Sequence, residues 1–83
     1  MSHADDVRAY CKQNYVDVAR MKGEKTAAIR SGDVHAALGY KNRYPLVCSA
    51  IGSNKFEEMC GVKRISVEGP INGVSTIFTF ELL

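Results

Sequence analysis

An asparagine and an arginine stand side by side before a proline, in the stretch "YKNRYP" at residues 40–45. The guanidinium of Arg43 is suited to pair bidentately with guanine, and the amide of Asn42 is suited to pair with adenine. The competing interpretation is a solvated turn in which Asn42 caps the next helix. Asn42 and Arg43 are therefore candidate base-contacting residues.

Positive charge is concentrated around this stretch. From Tyr40 to Arg64 there are five basic residues and two glutamates, whereas the whole chain has a net charge of +2 and a pI of about 8.5. Cations of this kind suit phosphate contacts, which position a protein on DNA; for each one, a plain surface charge is the competing interpretation. The candidate phosphate-binding residues are Lys41, Lys55, Lys63 and Arg64.

The segment that Pro45 opens has small, weakly polar residues away from its apolar stripe, and such a face can approach a major groove closely. Leu46, Ser49, Ala50 and Ser53 are expected to point outward or sideways. Tyr40 and Tyr44 are either nucleic-acid contacts or half-buried packing residues with a solvated hydroxyl. His35 is expected on the surface, with a phosphate contact as the alternative. The candidate set is completed by Tyr44, Ser49, Ser53 and Asn54.

Neither catalysis nor metal binding is expected. Asp5-Asp6 and Glu57-Glu58 are adjacent pairs on predicted helices, where neighbouring side chains point in different directions and form a poor acid–base pair. Two histidines and three cysteines lack the paired spacing of a zinc site, and no common nucleophile, metalloprotease or phosphate-loop motif occurs. We predict a non-enzymatic protein without a metal or cofactor.

The three cysteines, Cys11, Cys48 and Cys60, each stand in an apolar context. An odd number without a C-x-x-C pair does not fit a disulfide framework, so buried thiols in a reducing cytoplasm are expected. No stretch approaches the roughly 18 apolar residues of a membrane span, and a membrane partner is not expected.

The spacing of apolar residues predicts three helices, at Asp5–Lys22, Ser31–Leu38 and Pro45–Cys60. Ser31 is placed as an N-cap, and an interruption is expected at Gly52–Asn54. The predicted inward stripes are Val7, Tyr10, Cys11, Val18 and Met21; then Val34, Ala37 and Leu38; then Val47, Cys48 and Ile51.

After Gly61 the pattern alternates, which predicts an antiparallel hairpin from about Val62 to Leu82 around the Asn72-Gly73 turn signal. A further short strand is possible at Thr26–Arg30. The residues expected to share the core are Leu38, Val47, Ile51, Phe56, Ile65, Val67, Phe78 and Phe80, with Leu38, Ile51 and Phe80 almost fully buried.

This order of elements resembles the winged helix-turn-helix family of prokaryotic DNA-binding proteins. The resemblance is carried by "SGDVHAALG" as the support helix, "YKNRYPLVCSAI" as the turn and recognition helix, and "KRISVEGPINGVSTIFTFEL" as the wing. It implies a single α+β domain over residues 1–83 that binds double-stranded DNA through the third helix. A transcriptional regulator or chromatin-associated factor, monomeric or homodimeric, is the expected type.

One feature departs from the usual wing. The loop Gly69–Gly73 has no lysine or arginine, although wings that enter the minor groove commonly use a cation there. The alternative is a winged-helix module that binds another protein, with Ile71 exposed at the loop tip.

Overall fold

The computed structural model describes residues 2–83. Its chain begins with one long helical segment, made of α1 (His3–Cys11), a π-helical turn (Lys12–Val16) and α2 (Asp17–Met21). Strand β1 (Thr26–Arg30) leads into α3 (Ser31–Ala37), followed by α4 (Tyr44–Ile51) and α5 (Asn54–Cys60). Strands β2 (Val62–Glu68) and β3 (Ile77–Leu82) complete an α+β fold. The helices are thus more numerous and shorter than the three predicted.

The π-helical turn changes which side of the first helical segment faces the core. A π turn takes one residue more than an α turn, so the buried positions run Val7, Cys11, Val16 and Ala19. The predicted stripe was wrong beyond this turn, since Val18 and Met21 are exposed.

Helix α3 is rotated by comparison with the prediction. Arg30 is the N-cap residue, and Ser31 is instead a fully buried first helical residue. The inward face consists of Ser31, Val34 and His35, which follow the i, i+3, i+4 spacing of one helix face. Three expectations were therefore wrong: Leu38 is only half-buried, Ala37 is exposed and His35 is buried.

The predicted third helix is divided by a break at Gly52 and Ser53. Ser53 caps α5, because its hydroxyl accepts a hydrogen bond from the N–H of Phe56 at 3.2 Å. Gly61 ends α5 with φ of 65°, a left-handed conformation that glycine adopts without a steric penalty.

The three strands form an antiparallel sheet in the order β1-β3-β2. The predicted strand at Thr26–Arg30 is confirmed, and it makes β3 the central strand. A bulge at Ile65 interrupts the pairing of β2, because Arg64 lies opposite Phe80 and Ser66 lies opposite Thr79.

Two core predictions failed on β2, and the bulge explains the one at Ile65. The extra residue places Arg64 and Val67, rather than Ile65 and Val67, opposite the inward Phe80 and Phe78. Ile65 is 54% exposed on the edge strand, and Val67 faces inward but is left 48% exposed because no element covers it.

The core lies between the inner sheet face and the helices. Phe56 and Phe80 are fully buried in edge-to-face contact, with ring centroids 5.2 Å apart, and the predicted burial of Ile51 and Phe80 is confirmed.

The three cysteines are buried as expected; burial raises the pKa of Cys11 to about 12 and that of Cys60 to about 11, so both thiols stay protonated. None of the helices within residues 2–83 combines the length and apolar character needed to cross a bilayer.

Candidate nucleic-acid interface

The turn that joins α3 to α4 spans residues 38–43 and presents three of the candidate residues. Lys41, Asn42 and Arg43 are all exposed. Asn42 has φ of 53°, a left-handed conformation that asparagine tolerates better than most residues. Arg43, and not Asn42, occupies the N-cap position of α4. The side chains at this end of α4 are therefore available to a partner.

His35 fixes the turn from inside the fold. Its Nε2 atom accepts a hydrogen bond from the backbone N–H of Arg43 at 3.1 Å. Its ring stacks on that of Tyr44, with centroids 3.9 Å apart and an interplanar angle of 16°, and meets the ring of Tyr40 edge-on at 6.1 Å. Tyr40 and Tyr44 are both half-buried against it. Sequence reasoning missed this role because the contacts join positions eight residues apart through a turn.

The outward side of α4 is narrower than predicted. Ser49 is exposed and Leu46 is half-buried, but Ala50 is only 1% exposed, so its expected outward position was wrong. The inward positions of Val47, Cys48 and Ile51 are confirmed.

A groove of about 460 Å³ separates α4 from the hairpin. Arg64 lies along it and donates from Nη1 to the carbonyl oxygen of Gly52 at 2.9 Å. A Cβ atom on Gly52 would lie 3.1 Å from that Nη1 atom, so the missing side chain leaves room for the guanidinium. The groove is lined by Cys48, Ser49, Gly52, Ser53, Arg64, Val67, Ile71, Asn72, Thr76 and Phe78.

Two further candidate side chains, besides Arg64, make contacts inside the protein. The hydroxyl of Ser53 accepts from Nε of Arg8 at 3.1 Å and donates to the carbonyl of Ala50 at 2.7 Å, in addition to capping α5. Lys55 pairs with the carboxylate of Asp5 at 3.3 Å. Hydrogen bonding to Ser2, followed by that to Lys55, holds the pKa of Asp5 below its ordinary value. Lys55 therefore has to share its charge between Asp5 and any phosphate.

Asn54 and Lys63 lie in a second depression, apart from the groove beside α4. Its lining also includes the carboxylates of Glu57 and Glu58, so its charge is mixed. The ten candidate residues thus divide between the turn, the groove, the second depression and the Asp5 ion pair.

The hairpin loop, residues 69–76, is pinned to the start of α3. The N–H of Ser31 donates to the carbonyl of Thr76 at 2.8 Å, and the N–H of Gly32 donates to that of Val74 at 2.9 Å. Thr76 is buried; its hydroxyl donates to the carbonyl of Pro70 and accepts from the N–H of Gly73 at 3.1 Å. The loop is ordered around its own backbone, and Ile71 at its tip is 91% exposed.

The turn holds two exposed cations that form no ion pair within residues 2–83. Ion pairs within residues 2–83 engage Arg8, Lys12, Arg30 and Lys55, but neither Lys41 nor Arg43. The described residues contain no cluster of histidine, cysteine and carboxylate side chains suited to a metal ion.

Comparison with known proteins gives no match to a family model, to a curated protein or to a solved structure. The function is therefore argued from the chain's own residues.

Proposed function

We propose that this chain is a small, non-catalytic DNA-binding protein of the winged helix-turn-helix type, with α4 as the helix that enters the major groove. The order of elements supports it: a helix, a strand, two short helices joined by a turn, and a hairpin whose strands share a sheet with the first strand. The additional helix α5 is an insertion between α4 and the hairpin. A role in transcription or chromatin is part of the same proposal.

The observation that carries the proposal is the charge at the start of α4. Lys41 and Arg43 are exposed beside Asn42, without a carboxylate partner among residues 2–83. Base contacts of helix-turn-helix proteins come from the N-terminal residues of the second helix. Ser49, one to two turns further along the same helix, is the exposed residue small enough for close approach.

The test is a gel-shift titration with random and selected duplex DNA at two salt concentrations. Arg43→Ala should weaken binding by about 1–3 kcal/mol and relax the preference at one base position. Lys41→Ala should weaken binding to all sequences and lower the salt slope by about one unit, because a phosphate carries no sequence information.

Lys25→Ala is the charge-matched control. Lys25 is exposed at the start of β1, where its carbonyl accepts from the N–H of Leu82, and thus lies at the opposite end of that strand from α3. Its loss should change affinity less than the loss of Lys41. Equal effects, or no binding at low salt, would contradict an interface at the turn.

A second candidate function, binding of another protein, is favoured by the groove beside α4. Val67 and Ile71 expose apolar surface there, and Arg64 is the one charged side chain among the groove-lining residues. The occupant that matches this lining is a peptide segment with apolar and acidic side chains. Peptides selected from a random library against this protein should then contain both apolar and acidic side chains. They should not bind the variants Ile71→Ser and Arg64→Gln, but should still bind Lys41→Ala.

A further inference from the structure

We propose that His35 is the positioning residue of the turn before α4, and that DNA binding requires its Nε2 atom to be unprotonated. The inference rests on the proposed DNA-binding function, and it adds a residue and a form of regulation to that site. His35 does not touch the DNA in this arrangement; it acts through Arg43 and Tyr44.

The hydrogen bond to Arg43 determines the protonation state of the ring. Nε2 accepts from the backbone N–H of Arg43 at 3.1 Å, and a ring nitrogen accepts only through a free lone pair. The single proton of the neutral ring must then be on Nδ1. The hydrogen bond from Arg43 to Nε2 forms only when the turn has the described geometry. The tautomer of His35 therefore reports on that geometry.

A second proton on His35 would disrupt the turn. It would place an N–H on Nε2 against the N–H of Arg43, so that two donors face each other. Because His35 is only 5% exposed and its ring stacks on Tyr44, neither group can turn to water without moving the start of α4. The side chain of Arg43 would move with its backbone, and the base contact would be lost before the phosphate contact of Lys41.

The side chains that contact the ring are aromatic. Tyr40 and Tyr44 face it from the turn and from α4, and the residues that follow Tyr40 are the cations Lys41 and Arg43. From α1, the ring of His3 lies 5.5 Å from that of Tyr40.

One carboxylate stands near this cluster, although it forms no ion pair with His35. Desolvation raises the pKa of Tyr40, the charge of Asp6 raises it further, and the charge of Arg43 lowers it. The charges of Asp6 and Arg43 therefore both act at the Tyr40 hydroxyl. No carboxylate within residues 2–83 forms an ion pair with His35.

Two variants separate the acceptor from the stacked ring. His35→Phe keeps an aromatic ring against Tyr44 but has no acceptor, whereas His35→Gln has an amide oxygen that can reach the N–H of Arg43 but no ring. His3→Gln is the matched control, because His3 and His35 are the two histidines of the chain. Circular dichroism and thermal melts establish that each variant is folded.

The first measurement needs no DNA. Two-dimensional ¹H–¹⁵N NMR of the imidazole nitrogens at about pH 7.5 should show His35 with its proton on Nδ1. Lowering the pH until the imidazole resonances report a second proton on His35 should shift the Arg43 amide resonance in the wild type and in His3→Gln. A proton on Nε2 at the higher pH, or an Arg43 resonance that ignores the titration, would overturn the proposal whether or not the protein binds DNA.

The second measurement is affinity for duplex DNA at the same two pH values. The wild type and His3→Gln should lose at least about fivefold between them, the lower limit for one bidentate base contact, and His35→Gln should bind equally at both. His35→Phe should bind weakly at both, and in Arg43→Ala the pH dependence should disappear. A pH dependence that persists in His35→Gln, or wild-type affinity in His35→Phe, would overturn the positioning role while the DNA-binding function itself survives.

Discussion

The turn before α4 and the hairpin loop both contact α3, but different contacts hold them. The end of the turn at Arg43 is held by one side chain, since the ring of His35 accepts from the N–H of Arg43 and stacks on Tyr44. The loop is held by backbone N–H groups of Ser31 and Gly32, which donate to its carbonyls, and by the hydroxyls of Ser31 and Thr76. The turn carries Lys41 and Arg43, whereas the loop carries no charged residue between 69 and 76.

This difference separates stability from recognition. Backbone contacts between the loop, β1 and α3 join parts of the chain more than 40 residues apart, so a change there should act on the free energy of unfolding. The turn joins neighbouring helices and exposes its cations, so a change there should act on binding. The free energy of unfolding and the affinity for DNA are therefore the two quantities to compare in variants of the turn and of the loop. The contrast between the two segments fails if a change in one segment alters both quantities.

Gly32→Ala should have the largest effect on stability. A Cβ atom at this position would lie 2.7 Å from Cγ2 of Val74 and closer still to the Val74 carbonyl, so the loop has to move away from α3. We expect a loss of about 3 kcal/mol, the upper part of the range for overpacked sites, in urea unfolding followed by circular dichroism.

Gly52→Ala is its control, because the nearest atom to the added Cβ belongs to the end of the Arg64 side chain, at 3.1 Å. If the two alanine variants lose equal stability, the close packing of the loop on α3 is not the cause of the loss at Gly32.

Thr76→Val should follow, with a loss of about 2 kcal/mol. Valine keeps the shape but removes the hydroxyl, which leaves the N–H of Gly73 and the carbonyl of Pro70 without their partner. Thr79→Val is the control, because Thr79 is half-buried on the central strand and its hydroxyl makes no hydrogen bond within residues 2–83. DNA affinity of folded Thr76→Val should stay near that of the wild type; a parallel loss of affinity would assign the loop a direct role in binding.

Two asparagines offer a matched test, one in each segment. Asn42 and Asn72 have φ of 53° and 55°, and both are exposed. Replacing either by valine should cost about 1–2 kcal/mol, since a side chain with Cβ branching resists the left-handed region, whereas glycine should be tolerated at both. The stability losses should be alike, but affinity for DNA should fall only in Asn42→Val. Equal affinities in the two valine variants would argue against the turn as the interface.

Local patterns predicted the ends of several elements, because the determinants lie within a few residues. Gly23, Gly39 and Gly61 have positive φ after their helices, and Phe78 and Phe80 alternate inward as expected. Features set by distant contacts were missed. The bulge at Ile65 depends on pairing with β3, and the burial of His35 depends on the turn that closes over it.

The π-helical turn in the first helical segment had only a weak local signal. Its neighbourhood includes Asn14, whose side-chain amide donates to the carbonyl of Tyr10 at 2.9 Å. Side chains of this type compete for helix backbone groups, but the sequence does not show whether they cap, bend or widen a helix. Prediction of the candidate site from the sequence had the same limit. Residue types indicated the cations, but their ion-pair partners, such as Asp5 for Lys55, depend on tertiary contacts.

Ile71→Ser should have the smallest effect on stability, and it decides between the two candidate functions. Its side chain is 91% exposed at the tip of the loop, so the change in unfolding free energy should stay within about 0.5 kcal/mol, as for other surface substitutions. If the turn and α4 form the interface, affinity for DNA is unchanged, because the loop supplies neither charge nor a polar side chain at this point. If the groove binds a peptide with apolar and acidic side chains, that binding is lost together with the apolar tip.

Ile65→Ser is the control, since Ile65 is 54% exposed on β2 but does not line the groove. A loss of DNA affinity in Ile71→Ser, but not in Ile65→Ser, would show that the uncharged loop contacts DNA through its apolar tip, and the contrast between a binding turn and a structural loop would no longer hold.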